Sequence, residues 1–359
     1  MRPGRSTPMK VVIANFSAPV ITTSDASTFW ARHELPQRRR GLSLFEQPAG
    51  WGFHIMAIGL HLRDQGMADA VEFWDYADRR GTSYLPNGVL RVTFYHEEDV
   101  AAYMDRYGIP DLFVNYGEHG KPILDRLGGR CFRVHVPCLR RRRDGPGNTG
   151  AECYLVDSEE YLDDRSMMYV PVVNTGVFRP GSAPKERDFV YLAACYRGKR
   201  HDLVVDAVRG TELTGHFHPV SRGCVDLDGA HITTSDWDER DVVELLTSSR
   251  IAVYPGDETS NPAAMWECVA AGLPIVVNAK IRGGRHLVIP GVTGELAAPE
   301  DFRAIMMRVL ADRDRYRPRE YFMAHWDPRA ILERYVAFFR RMGWRPTARG
   351  ADTVQASAS

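Results

Sequence analysis

Tyr254–Asn278, YPGDETSNPAAMWECVAAGLPIVVN, is the stretch whose reading decides the fold. Asn261 followed by Pro262 has the form of an N-cap and a first helical residue. Gly272, with Pro274 just beyond it, reads as a C-terminal stop. Between them AAMWECVAA is too apolar all round to lie on a surface, so the helix is expected to be buried. Apolar strands flank it at Ile251–Tyr254 and Pro274–Asn278.

Glu267 is the one charge in that helix. Burying an unpaired carboxylate costs several kcal/mol, so it must be protonated, paired with a cation or hydrogen-bonded. Two neighbouring hydroxyls of a bound ribose would satisfy it, and so would an arginine from a neighbouring element. Free amides at the helix N-terminus, around Ala263 and Ala264, form a natural anion site such as a diphosphate requires. Upstream, YLAACYRGKRHDLVVDAV repeats the strand–turn–helix pattern, with Arg197, Lys199 and Arg200 in the turn. Ligands of doubly wound folds bind at such carboxyl ends of parallel strands. Standing alone, the three cations would read as a solvated basic turn.

Working outward, short β-rich runs alternate with amphipathic stretches along the whole chain, which argues for parallel sheets covered by helices. The first half predicts strands at Val11–Asn15, Ala70–Trp74, Leu112–Asn115, Phe132–Val136 and Tyr154–Val156, with a helix near His54–Arg63. The second half adds a strand near Val190–Cys195 and helices near Asp202–Val208, Glu239–Thr247 and Glu300–Leu310. The turn-rich segment Val173–Pro180 is the linker candidate. Residues 16–49 are longer than an ordinary βα connection and read either as a substrate-covering insertion or as surface elaboration. The fold class is therefore α/β, with two Rossmann-like doubly wound domains facing across a cleft. Their expected bounds are 9–175 and 181–325, with 326–345 a helix crossing back, 1–8 a loose leader and 346–359 a disordered tail.

At 359 residues the chain suits two cores rather than one. Zero formal net charge gives no reason to expect nucleic acid, and at most peripheral contact with a membrane. Only five of its basic residues are lysines, so Lys199 inside a motif is notable. The six cysteines show no metal spacing, and all are expected to be reduced, mostly buried thiols of a cytoplasmic protein.

These two units, in this order, resemble the retaining glycosyltransferases of family 4, which have the GT-B fold. The family's donor motif is two glutamates eight apart, then small residues, Gly, one variable residue and Pro. Pro262, Glu267 and Ala270-Ala271-Gly272-Leu273-Pro274 match it. The resemblance implies that Glu267 binds the nucleotide ribose and that Lys199 grips the donor diphosphate. It also implies that Gly52, in Gly50-Trp51-Gly52, lies in the acceptor domain's glycine-rich loop, and that His135 stands near the sugar. A lone His after a short apolar strand otherwise reads as structural. Gly283-Gly284 and Val292-Thr293-Gly294 match late donor-domain loops, and Trp326 with ILERYVAFFRRM the terminal helix. Three departures stand out. Thr259 occupies the first glutamate's place, with Glu258 one residue earlier. Ala193-Ala194 replaces the family's Gly-Arg, and Arg285-His286 its Glu after Gly-Gly.

The expected reaction is transfer of a sugar from a GDP- or UDP-linked donor to a small-molecule or glycan acceptor, with retention and without metal or cofactor. Lys199, Arg197 and His135 are the catalytic candidates. Glu267, Thr259, Glu258, Ser260, Asn261, Ala263, Gly52 and Arg200 are the donor-binding candidates. A bacterial biosynthetic enzyme, and a homodimer, fit this reading. An epimerase on the same fold and a non-catalytic nucleotide-sugar binder are the rivals; a nicotinamide dehydrogenase lacks its G-x-G-x-x-G after the first strand. Asp226-Leu227-Asp228 spells D-x-D but sits in a turn, and His216 and His218 alternate with Phe217 as in a half-buried strand or loop, without the carboxylates or cysteines of a metal site. Arg38–Arg40 and Arg140–Arg143 read as exposed loops.

Overall fold

The computed structural model of the chain describes residues 9–16, 26, 31–37, 53–117, 121–137, 150–182, 184–221, 223–236, 239–257 and 261–346. The chain packs as two compact units. The first comprises the chain to residue 47, residues 55–169 and the chain from 332; the second comprises residues 48–54 and 170–331.

The first unit carries β1 (Lys10–Asn15), α1 (Phe53–Asp64), β2 (Ala70–Tyr76), β3 (Gly81–Tyr84) and β4 (Leu90–Phe94). It continues with α2 (Glu97–Tyr107), β5 (Leu112–Tyr116), α3 (Lys121–Leu127), β6 (Phe132–Val136), β7 (Cys153–Val156) and β8 (Ser166–Met168). The strands form one sheet in the order β3-β4-β2-β1-β5-β6-β7-β8, parallel except for β3 against β4. Val11, Val12, Ile13 and Ala14 of β1 are wholly buried, the continuous apolar run of a strand covered on both faces. Trp74, Phe94, Tyr103 and Phe113 meet edge-on at 5.5–5.8 Å in the core cluster that also takes in Val12 and Ala14.

The second unit runs β9 (Arg187–Leu192), α4 (His201–Val208), β10 (Thr214–His218), β11 (His231–Thr234), α5 (Glu239–Ser248) and β12 (Ser249–Tyr254). There follow α6 (Ala263–Ala270), β13 (Ile275–Asn278), β14 (Gly294–Ala297), α7 (Phe302–Ala311), α8 (Pro318–His325) and α9 (Pro328–Arg341). Its sheet is wholly parallel, in the order β11-β10-β9-β12-β13-β14. Helix α9 passes from the second unit into the first, where Tyr335 stacks on Tyr169 and Phe339 lies 6.3 Å from Phe132.

Helix α6 ends as its sequence predicts. Gly272 takes φ 87°, the Gly272 amide donates to the Val269 carbonyl, and the Leu273 amide to the Cys268 carbonyl. That pair of bonds is the Schellman stop, and the positive φ is why glycine stands there. The start differs from expectation. The helix begins at Ala263 with Pro262 as its extended cap, and Asn261 does not cap it; the Asn261 Oδ1 instead accepts the Trp266 indole N–H. The short edge strands β3, β8, β11 and β14 escape the sequence reading because three or four residues carry too little periodicity. His216 and His218 lie in β10 and are buried rather than half-buried, bonded to Thr233 and Ser235. Among the described residues no helix is long and apolar enough to cross a membrane.

At Gly294 an added Cβ would come within 2.0 Å of the Ile275 carbonyl oxygen, a backbone atom fixed in the neighbouring strand. Gly294→Ala should therefore destabilise the second unit by about 2 kcal/mol or more. Thermal unfolding would read this as a lowered midpoint, whereas Ala→Gly on an exposed loop nearby would leave it almost unchanged.

Candidate active site

The second sheet fixes where a ligand can sit. Numbered along the chain within this unit, its order is 3-2-1-4-5-6, so the winding reverses between β9 and β12. Connections from those two adjacent strands depart in opposite directions, leaving a crevice at their carboxyl ends, which is where doubly wound folds bind ligands. The loop after β9 carries Arg197, Lys199 and Arg200. The loop after β12 leads into α6 and Glu267. The two meet directly: Arg200 Nη1 lies 3.5 Å from Asp257 Oδ2.

The β9 loop closes through one turn of 3₁₀ helix at Arg197–Lys199, after which Arg200 takes the left-handed region at φ 51°. The hydroxyl of Tyr191, deep in β9, donates to the Lys199 carbonyl at 2.8 Å. The Lys199 ammonium stands 5.4 Å from the centre of the Tyr196 ring. Arg200 is matched by carboxylates, with Asp202 oxygens at 3.0 and 3.1 Å in addition to Asp257. Arg197 is exposed. Arg200 is thus neutralised locally, and of the two arginines Arg197 is the better placed to meet an anion. His201 opens α4 as a buried wedge against Tyr191 and Phe217, with its Nε2 3.2 Å from the Ala193 carbonyl. Burial pushes its pKa down to about 4, so it is neutral at physiological pH.

Helix α6 is held by Trp266, which is fully buried and packs against His286, Phe322 and Trp326 at 5.2–6.4 Å. Met265, Cys268, Val269 and Ala270 are buried with it, as the apolar pattern requires. Among the described residues no cation pairs with Glu267. The arginine reaching this helix, Arg319, donates instead to the carbonyls of Ala270, Phe178 and Thr175. Burial pushes the Glu267 carboxyl up to about 7. The residue as a whole is part-buried rather than sealed, which leaves a ligand a path to it. Asn278 at the end of β13 completes the floor: wholly buried, its Nδ2 donates to the Pro255 carbonyl at 2.7 Å, and its Oδ1 accepts the Lys280 amide.

The structure thus brings Lys199, Arg197, Arg200, Asn261, Ala263 and Glu267 to one sheet edge. Glu258, Thr259, Ser260 and Gly52 lie outside the described residues, as do Arg38–Arg40 and Arg140–Arg143. His135 belongs to the first unit, almost wholly buried in β6, with Nδ1 3.0 Å from Asn115 Nδ2 and its ring edge-on to Tyr154. Asp226 and Asp228 are exposed, the Asp228 amide donating to the Asp226 carboxylate as in an ordinary Asx turn. Among the described residues no group of three or more His, Cys, Asp or Glu is placed to hold a metal.

Two features were not anticipated. Asp257, Tyr191, Asn278 and His201 shape the site, yet only Asp257, three residues past a strand beside other acids, had a visible signal. The second is a correction. Cys195 and Cys224 are joined by a disulfide, with Cα atoms 6.4 Å apart. Their 29-residue separation hides a contact that arises because β9 and β10 are neighbours. Cys131, Cys153 and Cys268 are buried free thiols, as expected.

Residues 227–321 match the family model of glycosyl transferases group 1. No curated protein matches the sequence. Among solved structures, sucrose-phosphate synthase from Thermosynechococcus elongatus superposes with a TM-score of 0.68 at 16% identity, covering 93% of this chain and 99% of that one. HepE of Anabaena, in complex with UDP and glucose, gives 0.65 at 11% identity over 93% and 100% of the two chains. AviGT4, a glycosyltransferase involved in avilamycin A biosynthesis, gives 0.56 at 17% identity over 93% and 98%. At these identities the likeness is one of fold: the chain has two parallel-sheet α/β domains of the GT-B glycosyltransferase type.

In the folded, ligand-free chain Glu267 holds its proton to a higher pH than the unfolded carboxyl does, about 7 against 4.5. Folding stability should therefore fall as pH rises through that window, by at most about 3 kcal/mol. Glu267→Gln, which cannot titrate, should match the native chain below the window and exceed its stability above it. Urea unfolding of both proteins at several pH values measures the difference; a difference independent of pH would show that the carboxyl is not buried uncompensated.

Proposed function

We propose that the protein is a glycosyltransferase that takes a sugar from a nucleoside diphosphate donor held at the carboxyl edge of the second sheet. The observation that carries this reading is Glu267, a carboxyl kept at a ligand-accessible edge with no counter-ion among the described residues. A binding site that holds such a group at a cost to folding is best explained by a polar ligand that compensates it. Adjacent hydroxyls of a ribose supply two donors to one carboxylate, and an ionised acceptor makes those hydrogen bonds strong.

In this reading the diphosphate lies between Lys199 with Arg197 on one side and the amides at Ala263 and Ala264 on the other. As the bond from the sugar's anomeric carbon to the phosphate oxygen lengthens, negative charge grows on the departing diphosphate. Fixed cations and helix amides stabilise it without reorganising, which is ordinarily the largest catalytic contribution. With that charge met by the chain's own residues, the step needs no metal. Transfer proceeds with retention if the acceptor hydroxyl enters from the face the diphosphate leaves, and the leaving phosphate can then accept the acceptor's proton. UDP is the nucleotide to test first, since solved structures of similar fold were captured with UDP and with UDP-2-fluoro glucose.

Lys199→Ala is the direct test. It should lower kcat/KM by about a hundredfold or more, with the unfolding midpoint close to native, because the ammonium takes no part in core packing. Unchanged turnover of donor and acceptor in this variant would remove Lys199 from the mechanism.

A further inference from the structure

The Cys195–Cys224 bond lies in the walls of this same crevice. Strands β9 and β10 pair in parallel up to Leu192 and His218, and the Ala193 amide donates to the His218 carbonyl at 2.7 Å. The loops that follow therefore start side by side, and the disulfide ties them two residues beyond that last backbone bond on the β9 side and six beyond it on the β10 side. Four residues further on stands Lys199. The far side of its loop has anchors of its own, in the Tyr191 hydroxyl bonded to the Lys199 carbonyl and Arg200 against Asp257. Between bridge and lysine, Tyr196 and Arg197 are exposed, so burial does little to fix this part of the loop. The bridge is its near-side anchor.

The two sulfurs also differ from the other described cysteines in access. Cys224 is exposed and Cys195 half-buried, whereas Cys131, Cys153 and Cys268 are buried, and burial raises the pKa of each, to about 12 at Cys131. Buried thiols of raised pKa are poor nucleophiles, while an exposed disulfide is open to thiolate attack.

We propose that the Cys195–Cys224 disulfide is a positioning element for the phosphate-binding loop, and that donor binding consequently depends on its redox state. The inference rests on the reading of that loop given under the proposed function. With the bond closed, Lys199 and Arg197 are presented at the reversal of the sheet. A dithiol opens it in two displacements. One thiolate attacks either sulfur, breaking the S–S bond, forming a mixed disulfide and releasing the other cysteine as a thiolate that takes a proton. The reductant's second thiol then displaces the remaining cysteine. The chain gains two electrons and two protons as two thiols, and the dithiol leaves as its own disulfide. The loop keeps its far anchors but loses the near one, so the cations sample positions away from the diphosphate.

The test begins with mass mapping of a non-reduced digest, which should find the Cys195 and Cys224 peptides linked. Calorimetric titration with UDP and with GDP then compares the oxidised chain, the chain reduced with dithiothreitol, and Cys195→Ser/Cys224→Ser. Reduction should weaken binding about tenfold, equivalent to about 1.4 kcal/mol, and reoxidation should restore it. The double variant should bind weakly with or without reductant. With a turned-over donor, kcat/KM for the donor should fall on reduction and recover on reoxidation while the acceptor KM at saturating donor stays the same, a split that general loosening of the fold would not give. Unlinked peptides, or equal affinity in the two redox states, would overturn the inference and leave the proposed function standing. If the oxidised chain bound neither UDP nor GDP, the site reading itself would fall, and the inference with it.

Discussion

The reversal of strand order between β9 and β12 is the constraint on which the rest of the second unit depends. At this one place the two connections part, and backbone and side chains at the strand ends cannot close over each other. What the chain places there is chemically unusual for a sheet edge: a cationic loop with its arginine partly neutralised by Asp202 and Asp257, and a short buried helix offering amides and one carboxyl.

Most of the surrounding packing serves to hold those two pieces still. Trp266 fills the space behind α6 and ties it to Asn261, so the residue beside it, Glu267, has a fixed direction. Arg319 fastens the end of α6 to the segment at 175–178 by bonding carbonyls on both. On the other wall Tyr191 and His201 support the cationic loop from beneath, and the disulfide ties it sideways to the loop after β10. A neutral His201 matters here, because a second buried positive charge under Lys199 would repel it.

In the proposed reading, the stability of the free protein and the affinity of the site are opposed at Glu267. An uncompensated carboxyl in dense surroundings favours its protonated form, and the folded state bears the cost when it ionises. A ligand with hydroxyl donors turns the same residue from a liability into a contact. Active sites commonly hold groups whose pKa values are displaced in this way, because a group already satisfied by its own protein has little to offer a substrate.

Much of this was legible in the sequence. The alternation of apolar runs and amphipathic stretches located the central strands, because residues buried on both faces leave no room for polar ones. Gly272 marked the end of α6, because a left-handed residue is needed there, and the lone acid in an apolar helix marked Glu267. These are local signals, written within a dozen residues. Tertiary structure alone decided the strand order, and with it the meeting of Arg200 and Asp257, the support of Lys199 by Tyr191, the role of Asn261 as partner to Trp266, and the pairing of Cys195 with Cys224. The long-range contacts join residues separated by whole elements, and even the short ones depend on side-chain directions that no pattern within the segment records.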